Sequence, residues 1–274
     1  MLDPHDVAYL AARGISASQA EQYGIRSATA DELQTILDRA IRTDGLIFPY
    51  PGEPPLTRVR LRIPPSNAQR YLQPRRSTIR PFITHLAAEQ RTGHGAIIIT
   101  EGECKGLAAE AAGVPTIALP GCWGWVLPRP RSIGGYQRPA GSPTLHPELL
   151  TFNWNRSAFL APDSDVVDNS DVWVSFLLLA RHLRRLGATV RMMIIPPHLN
   201  GTKQGLDDLL AATGKDAAHT LCQEAPAATA QAIRAHVARQ RQQFRAMVRL
   251  AQQLFNATVI SGNAAGLDAL RENP

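Results

Sequence analysis

Two short apolar runs, each leading into carboxylates, constrain this chain more than any other feature. Ile97-Ile98-Ile99-Thr100 runs into Glu101-Gly102, and Ala158-Phe159-Leu160-Ala161 runs into Asp163-Ser164-Asp165. Runs of four or five apolar residues are the pattern of strands buried on both faces of a parallel sheet. Helix-forming stretches follow, Glu103 to Ala112 stopped by Gly113 and Asn169 to Leu186 stopped by Gly187. Pro115 to Leu119 and Thr189 to Ile195 read as two more strands, and Gly205 to Ala212 as a short helix. This β-α-β succession predicts an α/β sheet domain.

The flanking segments have a different texture. Residues 4–38 read as helical, with Gly14 breaking the run and Ser16 or Ser18 capping a second helix, and Asp31 to Ala40 reads as another. Leu46-Ile47-Phe48 is strand-like. Arg58-Val59-Arg60-Leu61-Arg62-Ile63 then alternates with the period of two of a half-buried strand. Its arginine face either tracks a nucleic-acid backbone or is a solvated sheet face. Arg70, Arg75 and Arg76 extend that basic patch, and Tyr71 either stacks a base or packs. Residues 120–152 are rich in Gly, Pro and Arg and read as an insertion. Its Trp123 and Trp125 either gate a site, stack nucleotides or pack, and Arg129, Arg131 and Arg138 make it basic. Thr229 to Phe255 predicts a C-terminal helix with Ile233, Val237, Phe244, Val248 and Phe255 on one stripe, and Arg241, Arg245 and Arg249 on a solvated side. The resulting boundaries are 1–90, a helical and basic-strand subdomain, 91–220, the sheet core, and 221–274, a helical segment.

Carboxylates at the carboxyl ends of neighbouring strands project into a crevice, where ligands of open α/β sheets bind. Three of them converging on one point repel unless a cation neutralises them, and oxygen-only ligation suits Mg²⁺ or Mn²⁺. Glu101, Asp163 and Asp165 are therefore the candidate metal and catalytic set. Asp207 and Asp208 open the helix after residue 205 and either join that set or complement the helix dipole. Lys105 either meets a phosphate or pairs with Glu101 or Glu103. The histidines, His5 among them, form no recognised ligand spacing.

These motifs resemble the toprim domain of bacterial-type primases, topoisomerases and certain nucleases. The likeness is carried by Glu101-Gly102 and Asp163-x-Asp165. Gly45 to Tyr50, Arg58-Arg60-Arg62 and Arg70-Tyr71-Leu72-Gln73-Pro74 are similar to the basic segment before the primase core, and Lys203 to Leu210 to the segment after it. Glu101 to Lys105, Gly121-Cys122-Trp123 and Lys203 to Asp208 resemble plasmid- and phage-borne primase–helicase proteins. The likeness covers about residues 5–215. It implies a toprim-like Rossmann-type sheet with helices on both sides, preceded by a small basic α+β subdomain and followed by a C-terminal helix. It further implies a divalent-metal-dependent primase-type nucleotidyltransferase making short primers in the replication of a mobile element. Asp163 and Asp165 would hold metal, and Glu101 would ligate it or act as general base. Lys203 falls among the nucleotide-binding residues. The partners implied are a single-stranded DNA template, nucleoside triphosphates and a replicative helicase, fused or in trans.

The alternatives are a toprim nuclease and a non-catalytic DNA-binding module. A topoisomerase needs a nucleophilic tyrosine on a DNA-gating domain, and none of the five tyrosines has one around it. No Cys/His cluster suggests a zinc ribbon and no Gly-x-x-x-x-Gly-Lys-Ser/Thr loop suggests a helicase. A net charge of +6 fits an anionic partner. Three scattered cysteines, no signal-peptide pattern and no apolar stretch of membrane-spanning length predict a cytoplasmic protein without a membrane partner. The Asn-Pro end after an amphipathic helix fits a piece of a longer chain.

Overall fold

The computed structural model describes residues 1–53, 55–65, 70–75, 77–127, 131–133, 136–138, 143–198, 200–255, 257–259 and 270–272. Arg76 and Arg129 lie outside the described residues. So do the side chains of Arg131, Arg138, Arg241, Phe244, Arg245, Val248, Arg249 and Phe255.

The N-terminal third contains α1 (Pro4–Ala11), α2 (Ala17–Gln22), β1 (Arg26–Ala28), α3 (Ala30–Leu37), β2 (Gly45–Tyr50), β3 (Leu56–Leu61) and β4 (Tyr71–Leu72). Asp3, Ser16 and Thr29 cap the three helices by accepting from amides in their first turns. The strands form an antiparallel sheet in the order β1-β2-β3-β4. Ile47, Val59 and Leu61 pack on Leu33 and Leu37 of α3. On the opposite face, Leu46, Phe48 and Tyr50 join a second cluster.

The rest of the chain contains β5 (Phe82–Ile83), α4 (His85–Glu89), β6 (Ile97–Glu101), α5 (Glu103–Ala111), β7 (Thr116–Leu119), β8 (Val126–Leu127), β9 (Arg131–Ile133), β10 (Tyr136–Arg138), β11 (Thr144–Leu145), α6 (Pro147–Leu150), β12 (Ser157–Ala161), α7 (Ser170–Arg185) and β13 (Thr189–Met192). It continues with α8 (Leu206–Thr213), α9 (Asp216–Glu224), α10 (Ala230–Phe255), β14 (Ala257–Val259) and β15 (Leu270–Glu272). The central sheet runs β13-β12-β6-β7-β5, parallel except for β5. Its edge strand β5 and the helix α4 both precede residue 91.

Alternation along the buried strands assigns the helices to two layers. Ile97 and Ile99 face α7 through Phe176, Leu179 and Leu183, joined by Ile233 of α10. Ile98 faces the other way, toward Leu107 of α5 and Leu206 and Leu209 of α8. That second layer also contains Leu10, Ile15, Phe48 and Tyr50, so the N-terminal sheet and the central sheet share one hydrophobic cluster. Trp123 and Trp125 are buried core residues, and Trp125 Nε1 donates to Ser175 Oγ at 2.8 Å. Among the described residues, no helix is long and apolar enough to cross a membrane.

Candidate active site

β6 and β12 are neighbours, registered so that Thr100 lies opposite Ala161. The chain leaves β6 for β7 on one side and later places β12 on the other, so the strand order reverses between them. That reversal is where open α/β sheets leave a crevice at their carboxyl edge. Glu101 ends β6, while Asp163 and Asp165 follow β12 across a short 3₁₀ turn, Ser164–Val167. Thr100 Oγ1 donates to the Ala161 carbonyl at 2.8 Å and ties the two strand ends together. Gly102, at φ 83°, turns the chain from β6 into α5, a backbone conformation that glycine adopts without strain.

Two ammonium groups stand among these carboxylates. Lys105 Nζ lies 3.2 Å from Asp163 Oδ1. Lys203 Nζ lies 3.0 Å from Asp163 Oδ2, 3.1 Å from Asp165 Oδ1 and 3.2 Å from Asp165 Oδ2. Asn169 Nδ2 also donates to Asp165 Oδ2, at 3.3 Å. Burial disfavours both lysine charges, but Asp163 above all outweighs it and raises both pKa values. Glu101 has no such partner: its Oε1 is shut away from solvent without a hydrogen bond. Burial, reinforced by the charge of Asp163, pushes its pKa up to about 7.

The ligand oxygens of Glu101, Asp163 and Asp165 do not all lie within 4.8 Å of one another. Among the described residues, the single trio of metal-type ligands whose donor atoms all lie within 4.8 Å of one another is Asp3, His5 and Asp6. In that trio Arg62 already bonds both aspartates. At the sheet edge, the two lysine ammonium groups offset the repulsion between Asp163 and Asp165.

Asp207 and Asp208 divide. Asp208 accepts from the Gly205 amide at 3.1 Å, a capping role at the start of α8. Asp207 is buried, 3.4 Å from Arg13 Nε, with its Oδ1 unpartnered. Burial raises its pKa while Lys105 opposes the rise. At Gly205 an added Cβ would lie 2.6 Å from Asp207 Oδ1 and overlap the Lys105 stem.

The arginine stripe is a covered face rather than a solvated one. Arg58 Nη1 donates to Glu103 Oε1 at 2.6 Å and its guanidinium lies over the Tyr71 ring. Arg60 and Arg13 each sit 3.8 Å from the centroid of the Tyr9 ring. Arg62 pairs with Asp3, Asp6 and Asp44. Tyr71 is half-buried against the shared cluster, while Arg70 and Arg75 are exposed. Sequence reasoning missed Tyr50, which donates its hydroxyl to the fully buried Glu103, and Arg13 beside Asp207. A cavity of about 610 Å³ lined by Arg75, Ser77, Arg80, His146 and Glu148 contains none of the acidic set.

Residues 90–217 match the model of a family described as "Domain of unknown function (DUF3854)". No curated protein matches the chain. Two solved structures are similar. The Aquifex aeolicus primase, with its zinc-binding and RNA polymerase domains, aligns at TM-score 0.52 and 12% identity over 81% of this chain and 56% of that one. The DnaG primase catalytic domain bound to single-stranded DNA aligns at TM-score 0.51 and 14% identity over 80% of this chain and 70% of that one. The chain thus spans little more than half the length of the first. The fold is the toprim-like α/β fold of bacterial primase catalytic domains.

Proposed function

We propose that this chain is a divalent-cation-dependent primase-type nucleotidyltransferase that joins nucleoside triphosphates into short primers on single-stranded DNA. The observation that carries this reading is the placing of Glu101, Asp163 and Asp165 at the strand-order reversal of a primase-like sheet, with Glu101 Oε1 buried and unpartnered. An oxygen-only donor set with one orphaned buried oxygen fits Mg²⁺ or Mn²⁺. Asp163 and Asp165 would hold the ion and Glu101 would complete its shell or act as base. Bound there, the cation supplies neutralisation of phosphate charge and eases ionisation of the attacking hydroxyl.

In the reaction, the primer's 3′ oxygen attacks the α-phosphorus of the incoming nucleotide. The bond to the β-phosphate oxygen breaks, and pyrophosphate leaves. Glu101, with a pKa near neutrality, is matched to accept the hydroxyl proton. Lys105, 3.2 Å from Asp163 and under the added pull of the Asp207 charge, keeps a positive charge at the floor of the site for the phosphates. Exposed Arg70 and Arg75 are the basic positions of the N-terminal patch best placed to meet DNA. With this reading go a helicase partner and replication of a mobile element, which rest on the sequence resemblance, and the three-segment organisation at 90 and 220, which rests on the change of texture along the chain.

The test is incubation with single-stranded DNA, labelled nucleoside triphosphates and Mg²⁺ or Mn²⁺, beside Asp163→Ala/Asp165→Ala. Short products that disappear in the variant are expected. Shortened template instead would mean a nuclease, and DNA binding without either product would mean a non-catalytic module.

A further inference from the structure

The two lysines at the acidic edge differ in how they are held. The Lys105 side chain is 19% exposed, and its stem runs against Gly205, where no side chain fits. The Lys203 side chain is 49% exposed. Its backbone neighbour Gln204 is anchored on both sides: the Gln204 amide donates to Ser164 Oγ at 2.9 Å, and the Ser164 amide donates to the Gln204 carbonyl at 3.0 Å. A long flexible stem on a fixed backbone lets the ammonium leave by rotamer changes alone. That ammonium bonds oxygens of both Asp163 and Asp165 and so uses lone pairs that a cation between them would need. A half-exposed ion pair is also a weak restraint.

We propose that Lys203 is a displaceable internal counter-ion, which holds Asp163 and Asp165 together until a divalent cation takes the same oxygens, and which thereby sets the site's cation affinity. The proposal rests on the reading of Asp163 and Asp165 as metal ligands. Lys105 stays in place throughout, since its side chain is largely buried with its stem packed against Gly205.

The experiment is Mn²⁺ binding to the full chain, followed by the spectrum of free Mn²⁺ and by the Mn²⁺-induced rise in Tm. Lys203→Met, Lys203→Arg and Asp163→Asn are compared with the wild type. Removing one positive charge beside a dication should tighten Mn²⁺ binding about tenfold in Lys203→Met. Its melting point without the cation should fall, and the rise on adding Mn²⁺ should be larger than in the wild type. Lys203→Arg, which keeps the charge, should bind as the wild type does. If Lys203→Met binds Mn²⁺ no more tightly while Asp163→Asn loses it, the counter-ion idea is overturned and the metal site stands. If Asp163→Asn binds as the wild type does, both fall together.

Discussion

Glu101 carries a buried carboxylate oxygen without a hydrogen-bond partner, and its titration has a defined sign. Its pKa rises from the ordinary 4.5 to about 7 because burial, and then the Asp163 charge, disfavour the carboxylate. Below about pH 4.5 the group is protonated in the folded and unfolded chain alike. As pH climbs through 7 the folded state must carry a charge that it resists, and stability is lost over that window. The loss is up to about 3 kcal/mol at ~1.4 kcal/mol per pKa unit. Glu101→Gln removes it: in chelator, the variant should gain up to about 3 kcal/mol on the wild type between pH 4.5 and 8, read by urea denaturation. A difference that stays constant with pH would refute the raised pKa. The placing of Glu101, Asp163 and Asp165 at the ends of buried strands was legible in the sequence, because the end of a strand is a short-range property. Lys105 and Lys203 were singled out as well, but not their pairing with Asp163 and Asp165, since Lys203 meets Asp165 from 38 positions away.

At the scale of elements, β3 shows what periodicity carries and what it omits. The alternation of Arg58, Arg60 and Arg62 with Val59 and Leu61 specifies a strand, and β3 forms there. It says nothing about what covers the polar side, because the covering groups come from α1 and α5. Asp6 lies 56 positions from Arg62, and Glu103 lies 45 from Arg58. Glu103 opens α5, two residues after Glu101, and joins that helix to β2 and β3 through Tyr50 and Arg58. Removing one partner of a buried pair leaves the other charge uncompensated, so Glu103→Ala should cost about 3–5 kcal/mol in chemical denaturation. Arg58→Met/Glu103→Leu, which removes both charges, should cost less than Glu103→Ala alone. Equal losses would mean that the charges do not interact and that only packing holds α5 to the basic sheet.

For the whole molecule, the shared cluster decides how many cooperative units there are. Leu10, Ile15, Phe48 and Tyr50 from the first ninety residues pack with Ile98, Leu107, Leu206 and Leu209 from the central sheet and its helices. Composition along the chain changes near residue 90, which is why a boundary reads naturally there. Yet hydrophobic burial is indifferent to sequence position, and Phe82 of β5 is already part of the central sheet. A fragment of residues 91–220 would lose that edge strand and uncover one whole face of α5 and α8. Exposing each large apolar side chain costs about 1.5–3 kcal/mol, so a handful of them exceeds the whole stability of an ordinary domain. The fragment should therefore fail to melt cooperatively and should bind hydrophobic dye, whereas residues 1–224 should show a sharp transition in calorimetry. A 91–220 fragment with its own sharp transition would show that the N-terminal sheet is an accessory. Failure of that fragment would mean that the basic sheet is structural support for the acidic edge, holding Glu103, and through α5 the neighbouring Lys105, in place.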